Sequence, residues 1–206
     1  MDPVTAVEAE KADDRALAEA LIAGRPEAFE PFVERFGPLI RNFGRRMCGH
    51  RDDADEVLEE TLLTAYLSLK DLHDPSALRA WVFRVAANAC LKMRRQDRLG
   101  AQREIGLEEI LPGPGDGGGP PQIPDWSQTP LDRLLQDELR GKLDESILGL
   151  PSDYRIVLLL RDQEGFSTRQ TADMLGISET LAKVRLHRAR LALRKSLEGY
   201  LKGVSA

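Results

Sequence analysis

At 206 residues, with 42% hydrophobic and 31% charged side chains, the chain can build one large or two small domains, each with its own core. No apolar run approaches the ~20 residues of a membrane span, and the start, MDPVTAVEAEKADDR, lacks a basic segment followed by an apolar one. Neither membrane insertion nor a secretory signal is therefore expected, and the cytoplasm fits. A net charge of −5 excludes a uniformly basic nucleic-acid binder, so any DNA contact must come from clustered cations set against an acidic remainder.

Residues 1–13 read as a tail. Leu17, Leu21 and Ile22, then Phe29, Phe32, Val33 and Phe36, recur at i, i+3, i+4 spacing, predicting two helices around a Gly24-Arg25-Pro26 corner. Pro38 is expected to open a further helix through Leu39, Ile40 and Phe43 to about Cys48. The Phe residues read as core. Cys48 and Cys90 have no CxxC context and lie in helical patterns, which predicts buried thiols rather than a disulfide or a metal site.

The stretch 52–70, DDADEVLEETLLTAYLSLK, carries an apolar stripe of Val57, Leu58, Thr61, Leu62, Ala65 and Leu69. Against it stand six carboxylates within nine residues: Asp52, Asp53, Asp55, Glu56, Glu59 and Glu60. Such a face is either solvated and favoured by the helix dipole, or a carboxylate metal site, or a dock for a basic protein surface. No Glu-x-x-His accompanies it, which argues against metal.

Residues 71–76 (DLHDPS) form a loop. The segment 78–98, LRAWVFRVAANACLKMRRQDR, then repeats Leu78, Trp81, Val82, Val85, Ala89 and Met93 at helical spacing. It sets Arg79, Arg84, Lys92, Arg94, Arg95 and Arg98 against one acid, Asp97. A basic helix carrying Trp81 and Asn88 suits nucleic acid, where aromatics stack on bases and cations bind phosphate; a core Trp in a solvated helix reads the same way. Periodicity is lost over 99–130, and 112–124 contains ten Gly or Pro in thirteen residues, a linker that no helix or strand survives.

Leu131 restarts a helix, Pro151 follows it, and DYRIVLLLRDQ forms another that should pack under what comes next. From Gly165 to Lys195, two helical patterns meet at a tight corner. Ser167 is a good N-cap, Gly176 can end the first helix in the left-handed region, Ile177 anchors the corner and Ser178 caps the second helix. Thr171, Ala172 and Leu175 share the first helix's inner face. This is the pattern of a helix-turn-helix, whose second member lies in the major groove. From Thr180 to Lys195 there are six Lys or Arg and no Asp or Glu.

Four of these segments, DADEVLEETLLTAY, LRAWVFRVAANACLKMRR, LPSDYRIVLLLRDQEGFSTRQTADMLGIS and KVRLHRARLALR, in this order, resemble bacterial sigma factors of the extracytoplasmic-function (ECF) group. The resemblance covers roughly 15–98 and 131–198. It implies an all-α protein of two small helical domains, 14–98 and 131–206, joined by the Gly/Pro-rich linker 99–130, the second domain containing the helix-turn-helix. It implies a non-enzymatic subunit that binds RNA polymerase core and opens promoter DNA, with no cofactor, metal or small-molecule substrate. An anti-sigma factor is a further candidate partner.

By the same resemblance, Asp55, Glu56, Glu59 and Glu60 would dock on polymerase. His73, Trp81, Arg84, Asn88, Lys92 and Arg95 would recognise and open the minus-ten element. Arg169, Lys183, Val184, Arg185, His187 and Arg188 would read the minus-thirty-five element. Two elements separated by about 17 base pairs lie roughly 58 Å apart along the duplex. Glu59 stands where relatives usually carry Gln, and Leu181-Ala182-Lys183-Val184-Arg185 replaces a common Thr-Val-Lys-Ser-Arg, with two hydroxyls lost. The alternative is an autonomous helix-turn-helix regulator with a sensing or dimerising first domain. An enzyme has no paired catalytic carboxylates, nucleophile motif or phosphate loop to support it.

Overall fold

The computed structural model describes the backbone of residues 3–98 and 130–204, and the side chains of 13–94 and 138–198. All its regular elements are helical. The first unit comprises α1 (Pro3–Ile22), α2 (Phe29–Cys48), α3 (Arg51–Ser68) and α4 (Leu78–Arg98). The second comprises α5 (Pro130–Leu148), α6 (Ser152–Leu158), α7 (Thr168–Leu175) and α8 (Glu179–Val204). The segment read as a linker lies outside the described residues, except that Pro130 opens α5. Helix α1 begins at Pro3 and so takes in most of the expected tail.

Helix α2 corrects one expectation. Pro38 does not start a helix; it sits inside one that runs unbroken from Phe29 to Cys48. Proline removes one backbone donor, which here would have served the carbonyl of exposed Glu34, where water can substitute. What holds the helix together through this defect is its inner face, where Phe32, Phe36, Ile40, Phe43 and Met47 are all fully buried. They pack with Val57, Leu58 and Ala65 of α3 and Leu78, Val82, Phe83 and Ala86 of α4 in one cluster. Cys48 and Cys90 are indeed buried free thiols. They also touch: a hydrogen bond to Cys48, reinforced by burial, pushes the Cys90 thiol well above its ordinary pKa.

In the second unit α6 continues as a π-helical turn over Leu159–Gln163, closed by the Glu164 N–H donating to the Leu159 carbonyl at 3.0 Å. Such a turn carries one residue more than an α-turn and re-aims whatever follows. Ser167 and Gln170 form a reciprocal capping box at the start of α7, as Ser at the N-cap and Gln three residues later allow. Gly176 closes α7 at φ 64°, a left-handed conformation that a Cβ would strain. Ser178 Oγ accepts from the Leu181 N–H at 3.1 Å and starts α8, whose Ala182, Leu186, Ala189 and Ala192 are buried.

The two units share one continuous apolar cluster. Phe43 and Phe83 meet edge to face at 5.6 Å, and Phe83 meets Phe166 of the second unit at 5.5 Å. Arg155 of α6, 3% exposed, donates to the carbonyls of Leu148, of Leu150 (2.7 Å) and, across the boundary, of Met47. Gly49, at φ 89°, ends α2, and a Cβ there would come within 3.1 Å of Leu148 Cδ2.

Candidate polymerase and nucleic-acid interfaces

The carboxylates of α3 divide into two sets. Asp55 accepts from Arg41 Nε at 2.6 Å, and Glu60 accepts from Lys92 Nζ at 2.9 Å. Glu56 and Glu59 are exposed and make no ion pair among the described residues. Beside them the same helix presents Leu63, Tyr66 and Leu67, 61%, 71% and 59% exposed, with the Tyr66 ring edge-on to Phe29 at 5.4 Å. Three large apolar side chains at i, i+3, i+4 form a ridge that the described residues leave mostly exposed, whereas single exposed apolar residues are ordinary. The sequence reading missed this ridge. The signal was there: Leu63, Tyr66 and Leu67 are surplus to the one stripe that α3 can bury.

On α4, Trp81, Arg84, Asn88 and Lys92 recur at i+3 or i+4 and share a face. Arg84, Asn88 and Lys92 are exposed, and Trp81 is half-buried against the core rather than part of it. His73 is exposed in the loop before the helix. Next to it Asp74 accepts from the Ser76 N–H (2.9 Å) and hydroxyl (2.8 Å), hydrogen bonds that hold its carboxyl below the usual carboxylate range. His73, Trp81 and Arg84 line one cleft of about 500 Å3 whose opposite wall is Gln170, Asp173 and Met174 of α7. The side chain of Arg95 lies outside the described residues.

On α8, Lys183, Val184, His187 and Arg188 are exposed on one side, with Leu181 beside them, and Arg169 is exposed on α7. Arg185 points elsewhere. Its guanidinium is half-buried and donates to Asp153 Oδ2 at 2.8 Å, bracing α8 against α6. Arg190 likewise makes a two-pronged contact with Asp162, 2.5 and 2.9 Å, and that hydrogen bonding raises its pKa above the ordinary arginine value. Arg185 and Arg190 of the basic run are thus engaged within the protein. Their partners lie 28 and 32 residues upstream, beyond the reach of a local pattern.

The family comparisons fall on the same two units. Residues 32–99 match the Sigma-70 region 2 model, and residues 140–193 match the Sigma-70, region 4 model. The ECF sigma factor SigL of Mycobacterium tuberculosis is 32% identical over 185 residues, covering 89% of this chain and 96% of its own length. This chain belongs to the ECF sigma factors. The sigma factor SigM of the same species is 29% identical over 188 residues, covering 91% of this sigma factor and 86% of its own length.

Among solved structures, CnrH in complex with the cytosolic domain of CnrY superposes with a TM-score of 0.59. It is 25% identical and covers 90% of this sigma factor and 97% of that chain. The sigma factor RpoE bound to the anti-sigma factor NepR from Bartonella quintana shares the fold, with a TM-score of 0.57 at 21% identity over 82% of this chain. Membership makes RNA polymerase and promoter DNA the partners of this sigma factor and does not favour the autonomous regulator. Among the described residues no helix is long and apolar enough to cross a membrane, and no cluster of His, Cys, Asp or Glu could hold a metal ion.

Proposed function

We propose that this sigma factor divides its work among three helices, acts in the cytoplasm and leaves catalysis to the polymerase. Glu56 and Glu59 of α3, with Asp55 and Glu60 beside them and the Leu63, Tyr66 and Leu67 ridge, form the face that docks on core. Carboxylates steer the encounter with a basic surface, and apolar side chains lose water in the final contact. His73, Trp81, Arg84, Asn88, Lys92 and Arg95 receive the opened minus-ten strand, where unpaired bases can stack on an aromatic ring. Arg169, Lys183, Val184, His187 and Arg188 address the minus-thirty-five major groove, with Arg185 acting mainly as the brace that orients α8.

The observation that carries this reading is the separation of charge. Acid is concentrated on α3 and base on α4 and the start of α8, in a chain whose net charge is −5. The test is reconstitution with core polymerase, followed by selection of initiating promoters from a random library. Co-elution with core and a recovered two-element consensus are expected. Tight palindrome-dependent duplex binding by the protein alone, unaffected by core, would overturn it.

A further inference from the structure

Among the described residues, five large apolar side chains are exposed. Leu63, Tyr66 and Leu67 form the α3 ridge, and the other two, Leu181 and Val184, are 39% and 41% exposed in the first turns of α8. They fall at the two places of Leu181-Ala182-Lys183-Val184-Arg185 where a hydroxyl residue is common in relatives. Each hydroxyl has thus been exchanged for a branched apolar side chain that the fold does not bury.

The fold fixes which way these two side chains point. Ser178 Oγ accepts from the Leu181 N–H at 3.1 Å, so Leu181 closes the first turn of α8. Ala182, Leu186 and Ala189 are buried and set the inner face. On either flank of that face an arginine is tied down, Arg185 to Asp153 at 2.8 Å and Arg190 to Asp162 at 2.5 and 2.9 Å. These braces resist rotation of the helix about its own axis. At about 3.6 residues per turn, Val184 then falls opposite the buried stripe, with His187 on one side and Arg188 on the other. Leu181 lies in line with Arg188, and Lys183 lies beyond His187; all of them are exposed.

The first turns of a recognition helix meet base edges in the major groove. Serine and threonine can hydrogen-bond to several base atoms there, whereas leucine and valine can pair with none. The apolar group that the major groove offers them is the C5 methyl of thymine. Polar base atoms covered by these side chains would lose water without gaining a partner. Val184 is β-branched and stiff at χ1 in a helix, so little side-chain freedom is lost on contact. Leu181 and Val184 are about 4.5 Å apart along the helix axis, comparable with the roughly 3.4 Å rise between successive base pairs.

We propose that Leu181 and Val184 read thymine C5 methyl groups on neighbouring base pairs of the minus-thirty-five element, so that methyl contact takes the place of hydroxyl hydrogen bonding in setting the sequence. The proposal rests on the placement of α8 in that groove. Lys183, His187 and Arg188 flank the apolar pair and carry the polar contacts around it.

The test uses holoenzyme assembled from full-length protein and core polymerase, with the promoter it selects as the probe. Each thymine of the minus-thirty-five element is replaced in turn by deoxyuridine, which removes the C5 methyl and keeps every hydrogen-bonding atom. At two neighbouring base pairs wild type should lose affinity roughly four-fold, the effect of leaving one methyl-sized group unburied. Deoxyuridine outside the element should change nothing. Val184→Ala and Leu181→Ala should each bind the thymine and deoxyuridine probes equally at one of these positions and keep the wild-type preference at the other.

An effect of the methyl on DNA shape alone would leave both variants as sensitive as wild type, and that result would overturn methyl readout. So would a wild-type holoenzyme that needs the sequence of the element yet binds all deoxyuridine probes as tightly as thymine, with the groove assignment left standing. Indifference of the holoenzyme to a scrambled minus-thirty-five element would sink the groove assignment, and methyl readout with it.

Discussion

Lys92 on α4 donates to Glu60 on α3 at 2.9 Å, so a cation proposed to meet DNA and a carboxylate proposed to meet polymerase hold each other in the free protein. Both side chains are substantially exposed, 61% and 35%, and such a pair stabilises the fold by about 1 kcal/mol at most. Its interest is competition. Lys92→Gln should leave the melting temperature nearly unchanged and core binding intact or slightly tighter, because Glu60 is released. Binding of opened minus-ten DNA by the holoenzyme should weaken. Loss of core binding in this variant would show that the pair organises the docking face.

Charge reversal on α3 should separate docking from stability. Glu59 pairs with none of the described residues, so in Glu59→Lys circular dichroism should be normal while core affinity falls at least ten-fold through repulsion. Asp55→Lys also sets a cation against Arg41 and should lower the melting temperature as well. Tyr66→Ala should weaken docking without unfolding the chain. Unchanged pull-down of core by Glu59→Lys and Tyr66→Ala would leave this face merely solvated.

On α8 the two kinds of arginine should behave differently. Arg188→Ala or Lys183→Ala should cost on the order of 1–3 kcal/mol of promoter binding by the holoenzyme, with thermal stability unchanged. Arg185→Ala should instead lower thermal stability, since it releases Asp153 of α6. Normal initiation by both exposed-site variants at a minus-thirty-five-dependent promoter would refute the groove assignment.

Arg155 is a costly side chain to remove, because it is buried and donates to carbonyls of both units. Arg155→Met fills similar volume but leaves the carbonyls of Leu148, Leu150 and Met47 without their donor in a buried site. A loss of about 2–5 kcal/mol is expected by chemical denaturation. A loss below about 1 kcal/mol would mean that water replaces the guanidinium.

Glu164 gives the stability a definite pH slope. Burial, outweighing the hydrogen bond from Gln163 and the attraction of Arg79 and Arg46, raises its carboxyl above the ordinary glutamate value. The folded state therefore holds this proton more tightly than the unfolded chain. The resulting stability is fully present below the ordinary glutamate pKa of about 4.3 and is lost as pH rises through the raised value. The stability of wild type relative to Glu164→Gln should accordingly fall as pH rises above the ordinary glutamate value. A difference that grows with pH would show that Arg79 outweighs burial.

Local patterns in the sequence carried the helices, their caps and the helix-turn-helix corner, because each depends on residues within a turn or two of one another. Ser167 with Gln170, and Gly176 at φ 64°, are such cases. The inner faces of α2 and α4 were equally legible, and Pro38 was misread because burial of five large side chains outweighs one missing donor. What stayed hidden depends on distant pairs. Asp153 and Asp162 turn two basic-run arginines inward, Cys48 meets Cys90, and Glu164 finds Arg79 at a separation of 85 residues. Nothing periodic marks these meetings. The exposed ridge of Leu63, Tyr66 and Leu67 was countable in the sequence, but only the packing of α3 decides which of its apolar residues are left over.

The unbroken line of rings from Phe43 through Phe83 to Phe166 makes the contact between the two units largely apolar. Burial of apolar surface loses driving force on cooling, whereas its rupture carries a positive heat capacity. The contact between the units should therefore weaken on cooling more than a purely polar contact of the same strength would.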